Sequence, residues 1–312
     1  MSQVLMEVTI AITSKAVSVS MQAIYMATLG IITVGDQLER REAKSENTMS
    51  DMVQTWHYGL MARHWAENNT TGPEIAYFQR QIETYGQPTL DAGCGTGRLL
   101  IPFLRAGLDV DGCDVSADML AYCQQTAERE GFSPQLYQQA LHLLALPRHY
   151  QTIVACGVFG IGVSREQDFT SLQRFYQHLV PGGMLLLEVY LPYKNAKVWP
   201  LWRKEARTHL PEPWPEDIGK PPLDGRAYEL HYRLVAVDPL EQRSIGEMRM
   251  LLFQDGQLVA DDTHTLTSNY YFRHEMHSLL EQAGFRVEAE KGDWTDADAT
   301  ADHEVIIYFA RK

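Results

Sequence analysis

From Met49 onward the chain switches between two hydrophobic periods. Apolar residues recur at three- and four-residue spacing over about Val53 to Ala66 and Pro73 to Tyr85, which predicts two helices. A short apolar run, Thr89 to Ala92, then predicts a strand. After a glycine cluster, Leu99, Leu100, Phe103 and Leu104 recur at helical spacing as far as Gly107, which suits a C-terminal cap. A second strand follows at about Leu108 to Cys113, ending in Asp114. Ser116 is placed to cap a helix that runs to Gly131, with Leu120, Cys123 and Ala127 on one face. Further strands are expected at Gln135 to Gln138, Thr152 to Ala155 and Met184 to Tyr190, the last two separated by the helical "EQDFTSLQRFYQHL". Strands alternating with helices in this way predict a mostly parallel sheet with helices on both faces.

Past Tyr190 the rhythm changes. "VYLPYKNAKVWPLWRKEARTHLPEPWPEDIGKPPLDG" is rich in proline and carries Trp199, Trp202 and Trp214, which reads as a structured cover and not as a flexible linker. Three alternating runs follow, "YELHYRLVAV", "RSIGEMRMLLF" and "QLVADDTHTL". Asp238-Pro239 separates the first two and Asp255-Gly256 the last two, so the expectation is a three-stranded antiparallel meander. A helix in "YYFRHEMHSLLEQAGF" and strands in "FRVEAE" and "EVIIYFARK" then return to the alternating pattern. This divides the chain into an extension at 1–48, a core at 49–190, a cover with the meander at 191–267, and a closing helix and strands at 268–312.

Composition narrows the class. The 312 residues are 45% hydrophobic with a formal net charge of −13, enough apolar surface for a large core and the wrong sign for nucleic acid or anionic membrane surfaces. Four cysteines without CxxC or Cys/His spacing fit a reducing compartment and no structural metal, so a cytoplasmic protein is expected. Ala16 to Gly35 lacks charge but is interrupted by Ser18, Ser20, Gln22, Thr28 and Thr33, which argues against a spanning helix and against stable membrane association. Met49 reads as a second apparent start, and 1–48 is expected to be dispensable.

In open parallel sheets ligands sit beyond the carboxyl ends of the strands, where strand order reverses. "TLDAGCGTGRLL" belongs there. Gly93, Gly95 and Gly97 allow backbone N–H groups to approach a ligand, with Asp91 just before them and Asp114 ending the next strand, placed to accept hydrogen bonds from two ribose hydroxyls. The ligand expected is a nucleoside derivative. The spacing is GxGxG, with Arg98 where a dinucleotide fingerprint carries its third glycine, so nicotinamide and flavin lose ground.

The chain resembles the class I S-adenosylmethionine-dependent methyltransferases, and among them the small-molecule group with a strand-rich insert after the fifth strand. The resemblance rests on "LDAGCGTGRLL", "VDGCDVSADML", "LPRHYQTIVACGVFGIG" and "HLVPGGMLLLEV", and extends through "LLEQAGFRVEAEKGD" to the terminal "HEVIIYFARK". It implies a Rossmann-like, seven-stranded, mostly parallel sheet with its last strand antiparallel, plus an antiparallel β insert. It also implies S-adenosylmethionine as cofactor and S-adenosylhomocysteine as product. Gly93, Cys94 and Gly95 would line the methionine part, Asp114 would hold the ribose, and Val115 and Met119 would flank the adenine. Gln139, Ala140 and Leu141 occupy the segment that faces the adenine amino group, with Ala140 where the family often has Asp. Cys156 and Gly157 would face the methionine moiety. Tyr58 and Arg63 would bind its carboxylate.

Methyl transfer is an in-line displacement that needs a positioned nucleophile, and a base only if the acceptor must lose a proton. Tyr190 and His264 are the candidates for that chemistry, and Tyr193, Trp199 and Trp202 for enclosing a small-molecule acceptor. Nothing in the sequence names the acceptor or its atom, or decides between monomer and homodimer. A second class stays open, a sensor or inactive oligomer partner that binds the cofactor without turnover.

Overall fold

The computed structural model describes residues 55–215, 218–219 and 227–312; the extension expected at 1–48 lies outside the described residues. Ten strands form two sheets. The first combines β1 (Thr89–Ala92), β2 (Val110–Asp114), β3 (Leu136–Gln138), β4 (Tyr150–Ala155), β5 (Leu179–Tyr190), β9 (Arg286–Gly292) and β10 (Val305–Arg311) in the order β3-β2-β1-β4-β5-β10-β9. β10 runs antiparallel between β5 and β9, and the other pairings are parallel. The second is the antiparallel meander of β6 (Tyr228–Asp238), β7 (Arg243–Gln254) and β8 (Gln257–Asn269).

Period-two alternation sends the strand residues of the large sheet to two cores. Leu185, Leu187 and Val189 of β5 pack with α5 (Arg165–His178) and α6 (Arg273–Gln282) through Leu172, Phe175, Met276 and Leu280. Met184 and Leu186 face the other way. There they meet α2 (Pro73–Tyr85), α3 (Leu100–Arg105) and α4 (Ala117–Arg129) through Phe78, Ile82, Phe103 and the expected Leu120, Cys123 and Ala127 stripe. Ser116 caps α4 as its sequence position suggests, accepting the Met119 N–H at 3.1 Å.

The first helix departs from its expected range. α1 spans Gly59–Asn68, because Tyr58 is extended and Gly59 enters the helix at φ +55°; the helical period carried Trp56 along, but its ring is buried ahead of the helix. α1 packs on the meander and not on the large sheet. Trp56, Met61, Ala62 and Trp65 form a third core with Leu234, Met248, Met250 and Leu266. Asp255 and Gly256, at φ 50° and 73°, make the two-residue turn between the paired Gln254 and Gln257. The far end of β8 is pinned to the large sheet: Gly162 donates to the Thr267 carbonyl and the Asn269 N–H to the Gly160 carbonyl, both at 2.7 Å. Among the described residues no helix is long and apolar enough to cross a membrane.

Candidate active site

Strand order reverses between β1 and β4, and the principal cavity opens there, at the carboxyl ends of the parallel strands. Asp91, Gly93, Cys94, Gly95, Asp114, Val115, Met119, Gln139, Ala140, Leu141, Cys156 and Gly157 all line it, so residues from four sequence-distant segments converge as the motif order implied. The Asp114 carboxylate receives the Gly95 N–H at 2.9 Å and the Ser116 N–H at 2.8 Å. It is therefore anchored by backbone donors at the cavity wall. Burial raises its pKa, and those same N–H groups oppose the rise.

The glycines have separate jobs. Gly95, at φ +54°, faces open space, and a Cβ there would project into the cavity without a clash, so what glycine supplies is the conformation. Gly97 does not line the cavity. A Cβ on it would sit 2.8 Å from the Cys123 sulfur and from Ile101, so this glycine lets α4 and α3 close on the loop, which corrects its assignment to the ligand.

Charged residues that the motifs did not reveal complete the wall. Arg98 pairs with the buried Glu74 of α2. Glu188 of β5 is buried and accepts the Cys156 thiol at 3.1 Å and the Trp294 indole N–H at 2.7 Å. Its pKa is raised by burial, and the Cys156 thiol is held well above its usual range by burial and by Glu188. Asp91 is pushed up to about 7 by burial and then by the charge of Asp114, and its Oδ2 has no hydrogen-bond partner among the described residues. Asp168 of α5 accepts from the Gly160 N–H at 3.1 Å, the Asn269 amide at 2.7 Å and the Tyr271 hydroxyl at 2.6 Å, and burial raises its pKa to about 6. Glu188 was legible in principle, as an acid inside the apolar run "MLLLEVY". Nothing in the sequence pattern joins Trp294 or Glu74 to the site, because only tertiary packing brings them there.

A second, smaller cavity adjoins the first. Phe159, Ile161 and Tyr190 line both, and beyond them Trp56, Leu266 and Tyr270 enclose the space between β5 and the end of β8. Tyr190 thus stands where its position at the end of the fifth strand put it, at the junction, with its hydroxyl on Glu188.

Other sequence assignments are corrected. Arg63 points away from both cavities, pairing with Glu67 at 2.9 Å and standing over the Tyr228 ring, because α1 turns that face toward solvent. Tyr58 lines neither cavity; its ring lies 6.3 Å from that of His264. His264 sits in β8 beneath the first turn of α1, its Nε2 buried without a hydrogen-bond partner among the described residues, and it too lines neither cavity. Its neighbour His57 does line the principal cavity, and burial followed by His264 lowers its pKa to about 4, so it is neutral near pH 7. Tyr193, Trp199 and Trp202 stack in a cluster with Phe272 behind the second cavity, Trp202 meeting Tyr270 at 6.5 Å. They back the chamber wall without lining it.

Among the described residues no three His, Cys, Asp or Glu side chains converge as metal ligands. The cavity suits a nucleoside sulfonium on its own chemistry: an anchored carboxylate beside an open glycine, an apolar slot at Val115, Met119 and Leu141, and opposite charges on Arg98 and Glu188 at the other end.

Residues 89–183 match the family described as "Methyltransferase domain". A putative methyltransferase of Geobacillus sp. (strain WCH70) is 28% identical over 129 residues, 40% of this chain and 52% of that protein, so the chain spans about half the length of this curated relative. An S-adenosylmethionine-dependent methyltransferase from Clostridium acetobutylicum superposes with a TM-score of 0.62 at 14% identity, covering 80% of this chain and 95% of that one. The sugar N-methyltransferase KedS8 from Streptoalloteichus sp. gives 0.56 at 16% identity, over 88% and 100%. At such identities the structural likeness is one of fold.

Proposed function

We propose, from the premise that this chain belongs to the S-adenosylmethionine-dependent methyltransferases, that it transfers a methyl group to a small-molecule acceptor held in the second cavity. The observation that carries this reading is the junction at Phe159, Ile161 and Tyr190, which line both the principal cavity and the smaller one beside it. Bound S-adenosylmethionine supplies a sulfonium methyl with a good leaving group, and S-adenosylhomocysteine is what remains.

The chain's own residues then have mainly to bind, align and exclude water. Asp114 accepts from the ribose hydroxyls with the lone pairs its two backbone donors leave free. Arg98 and Glu188 complement the carboxylate and ammonium of the methionine part, taking the role that resemblance placed on Tyr58 and Arg63. Val115, Met119 and Leu141 provide the adenine slot. Tyr190, its O–H directed to Glu188, turns an oxygen lone pair toward the junction, where it can accept a hydrogen bond from an acceptor O–H or N–H and so orient that atom in line with the methyl, at about 3 to 3.5 Å. An acceptor so held would form its new bond to the methyl carbon as the carbon–sulfur bond breaks, and would release its proton to solvent as the product leaves. A small-molecule acceptor is in keeping with the fold shared with the sugar N-methyltransferase KedS8.

Titration calorimetry with S-adenosylhomocysteine tests the cofactor half of the proposal. Transfer of labelled methyl in a lysate, separated into small molecules, RNA and protein, tests the other half. Label in the small-molecule fraction is expected. Label in RNA or protein overturns the acceptor class, and tight binding without transfer across a broad metabolite panel favours a sensor.

A further inference from the structure

The second cavity has a chemistry that limits its occupant. Among the described residues its lining carries no Asp, Glu, Lys, Arg or His. Most of its polar side chains are committed to the scaffold, and Ser268 at the meander side adds one small hydroxyl. The Asn269 amide donates to the Val163 carbonyl at 2.9 Å and to Asp168 at 2.7 Å, Tyr271 donates to Asp168 at 2.6 Å, and Tyr270 shares a 2.7 Å hydrogen bond with Ser244. Asn195 uses its Oδ1 on the Lys197 and Val198 N–H groups at 3.2 and 3.0 Å. What the walls present is ring faces and aliphatic carbon: Trp56, Phe159, Tyr270, Val189 and Leu266.

Resting on the methyltransferase reading above, we infer that this chamber takes a neutral acceptor with a planar aromatic body and a single hydroxyl or uncharged amine, and refuses phosphorylated or carboxylated molecules. An ionised phosphate or carboxylate entering the chamber would lose water and meet no charged side chain in the lining, a loss that the aromatic contacts do not offset. A flat ring, in contrast, gains offset or edge contacts against the aromatic walls, and its one polar group can reach Tyr190, which lines both this chamber and the principal cavity.

The experiment uses the full chain saturated with S-adenosylhomocysteine, with 2-naphthol and 2-naphthyl phosphate as paired probes differing in the ionic group. Naphthol is expected to bind, with quenching of tryptophan fluorescence, and the phosphate to bind at least tenfold more weakly. Ser268→Trp, which fills the chamber from its meander side, should abolish naphthol binding while S-adenosylhomocysteine affinity stays within about twofold of wild type. Leu266→Phe should act in the same direction, and retained S-adenosylhomocysteine affinity shows that either variant is folded. Equal binding of the two probes, no binding of naphthol, or naphthol binding unchanged in both variants overturns the inference. Loss of S-adenosylhomocysteine binding by the wild type is a different result, which removes the methyltransferase reading itself.

Discussion

Asp114 has two duties that measurement can separate. Its carboxylate organises the loop through the Gly95 and Ser116 N–H groups and is also the proposed ribose acceptor. Asp114→Ala is expected to weaken S-adenosylmethionine and S-adenosylhomocysteine alike, roughly tenfold to hundredfold, since charge-assisted hydrogen bonds contribute on the order of 1.5 to 3 kcal/mol. A lowered melting temperature should accompany this, because two backbone donors lose their acceptor. Calorimetry and thermal melts on the same protein decide it, and unchanged affinity in a folded variant would remove the ribose assignment. Asp91 gives a pH signature. Its pKa rises from 3.8 to about 7 in the folded protein, so the folded state holds the proton more tightly than the unfolded one. The stabilising contribution of that proton is complete below about pH 4 and is lost as the pH climbs toward 7. Relative to Asp91→Asn, wild type should therefore gain stability in urea titrations as the pH falls from 8 to 4, and a parallel pair of curves would refute it. The glycine loop, Asp91 and Asp114 were legible because covalent neighbours set their spacing. The pairing of Arg98 with Glu74 and the contact of Glu188 with Trp294 were not, because each joins elements far apart in the chain.

At the scale of elements, α1 is a strap between two sheets. The Gly59 N–H donates to Asp118 at the start of α4, and the Leu60 N–H donates to Asp262 of β8, each at 2.8 Å. Two carboxylates thus satisfy amides that a helix N-terminus leaves unpaired, with the sign that the helix dipole favours. The Ser116 hydroxyl adds a 2.5 Å bond to the His57 carbonyl, holding the strap against the cofactor cavity. Asp262→Ala is expected to cost about 0.5 to 2 kcal/mol, as for loss of a helix cap. It should also weaken S-adenosylhomocysteine several-fold, although Asp262 lines neither cavity. Hydrogen exchange at Leu60 and Met61 would show whether the loosening is local, and unchanged protection there would contradict the strap. The helical period around residue 60 was readable, but the fact that this helix packs on the insert and not on the main sheet was not. Both surfaces offer the same apolar pattern, and only the docking of β8 on the loop at 160–162 decides between them.

For the whole molecule, every motif that the sequence offers for the cofactor lies beyond Met49. Removal of residues 1–48 is therefore expected to leave S-adenosylhomocysteine affinity and melting temperature nearly unchanged. Calorimetry on the shortened chain checks this, and loss of binding or a large drop in melting temperature would assign the segment a part in the fold. The meander acts at the same scale, because its far end supplies Leu266, Ser268 and Asn269 to the second cavity while its body buries α1. The insert and the large-sheet half thus share the walls of the second cavity.

Local patterns carried the strands, most helix positions, the Ser116 cap, the Asp255-Gly256 turn and the glycine loop at the end of the first strand, because each depends on residues within one or two turns of chain. The parallel sheet with its antiparallel last strand followed from the order of those elements and from family resemblance. Tertiary structure alone decided which aromatics line the second cavity. Trp199 and Trp202 have the composition of a chamber wall, but they fill the layer behind it, while Trp56, Phe159 and Tyr270 take the wall. Sequence spacing specifies which side of its own element a residue occupies, and the choice of which element faces an empty space belongs to packing between elements far apart in the chain.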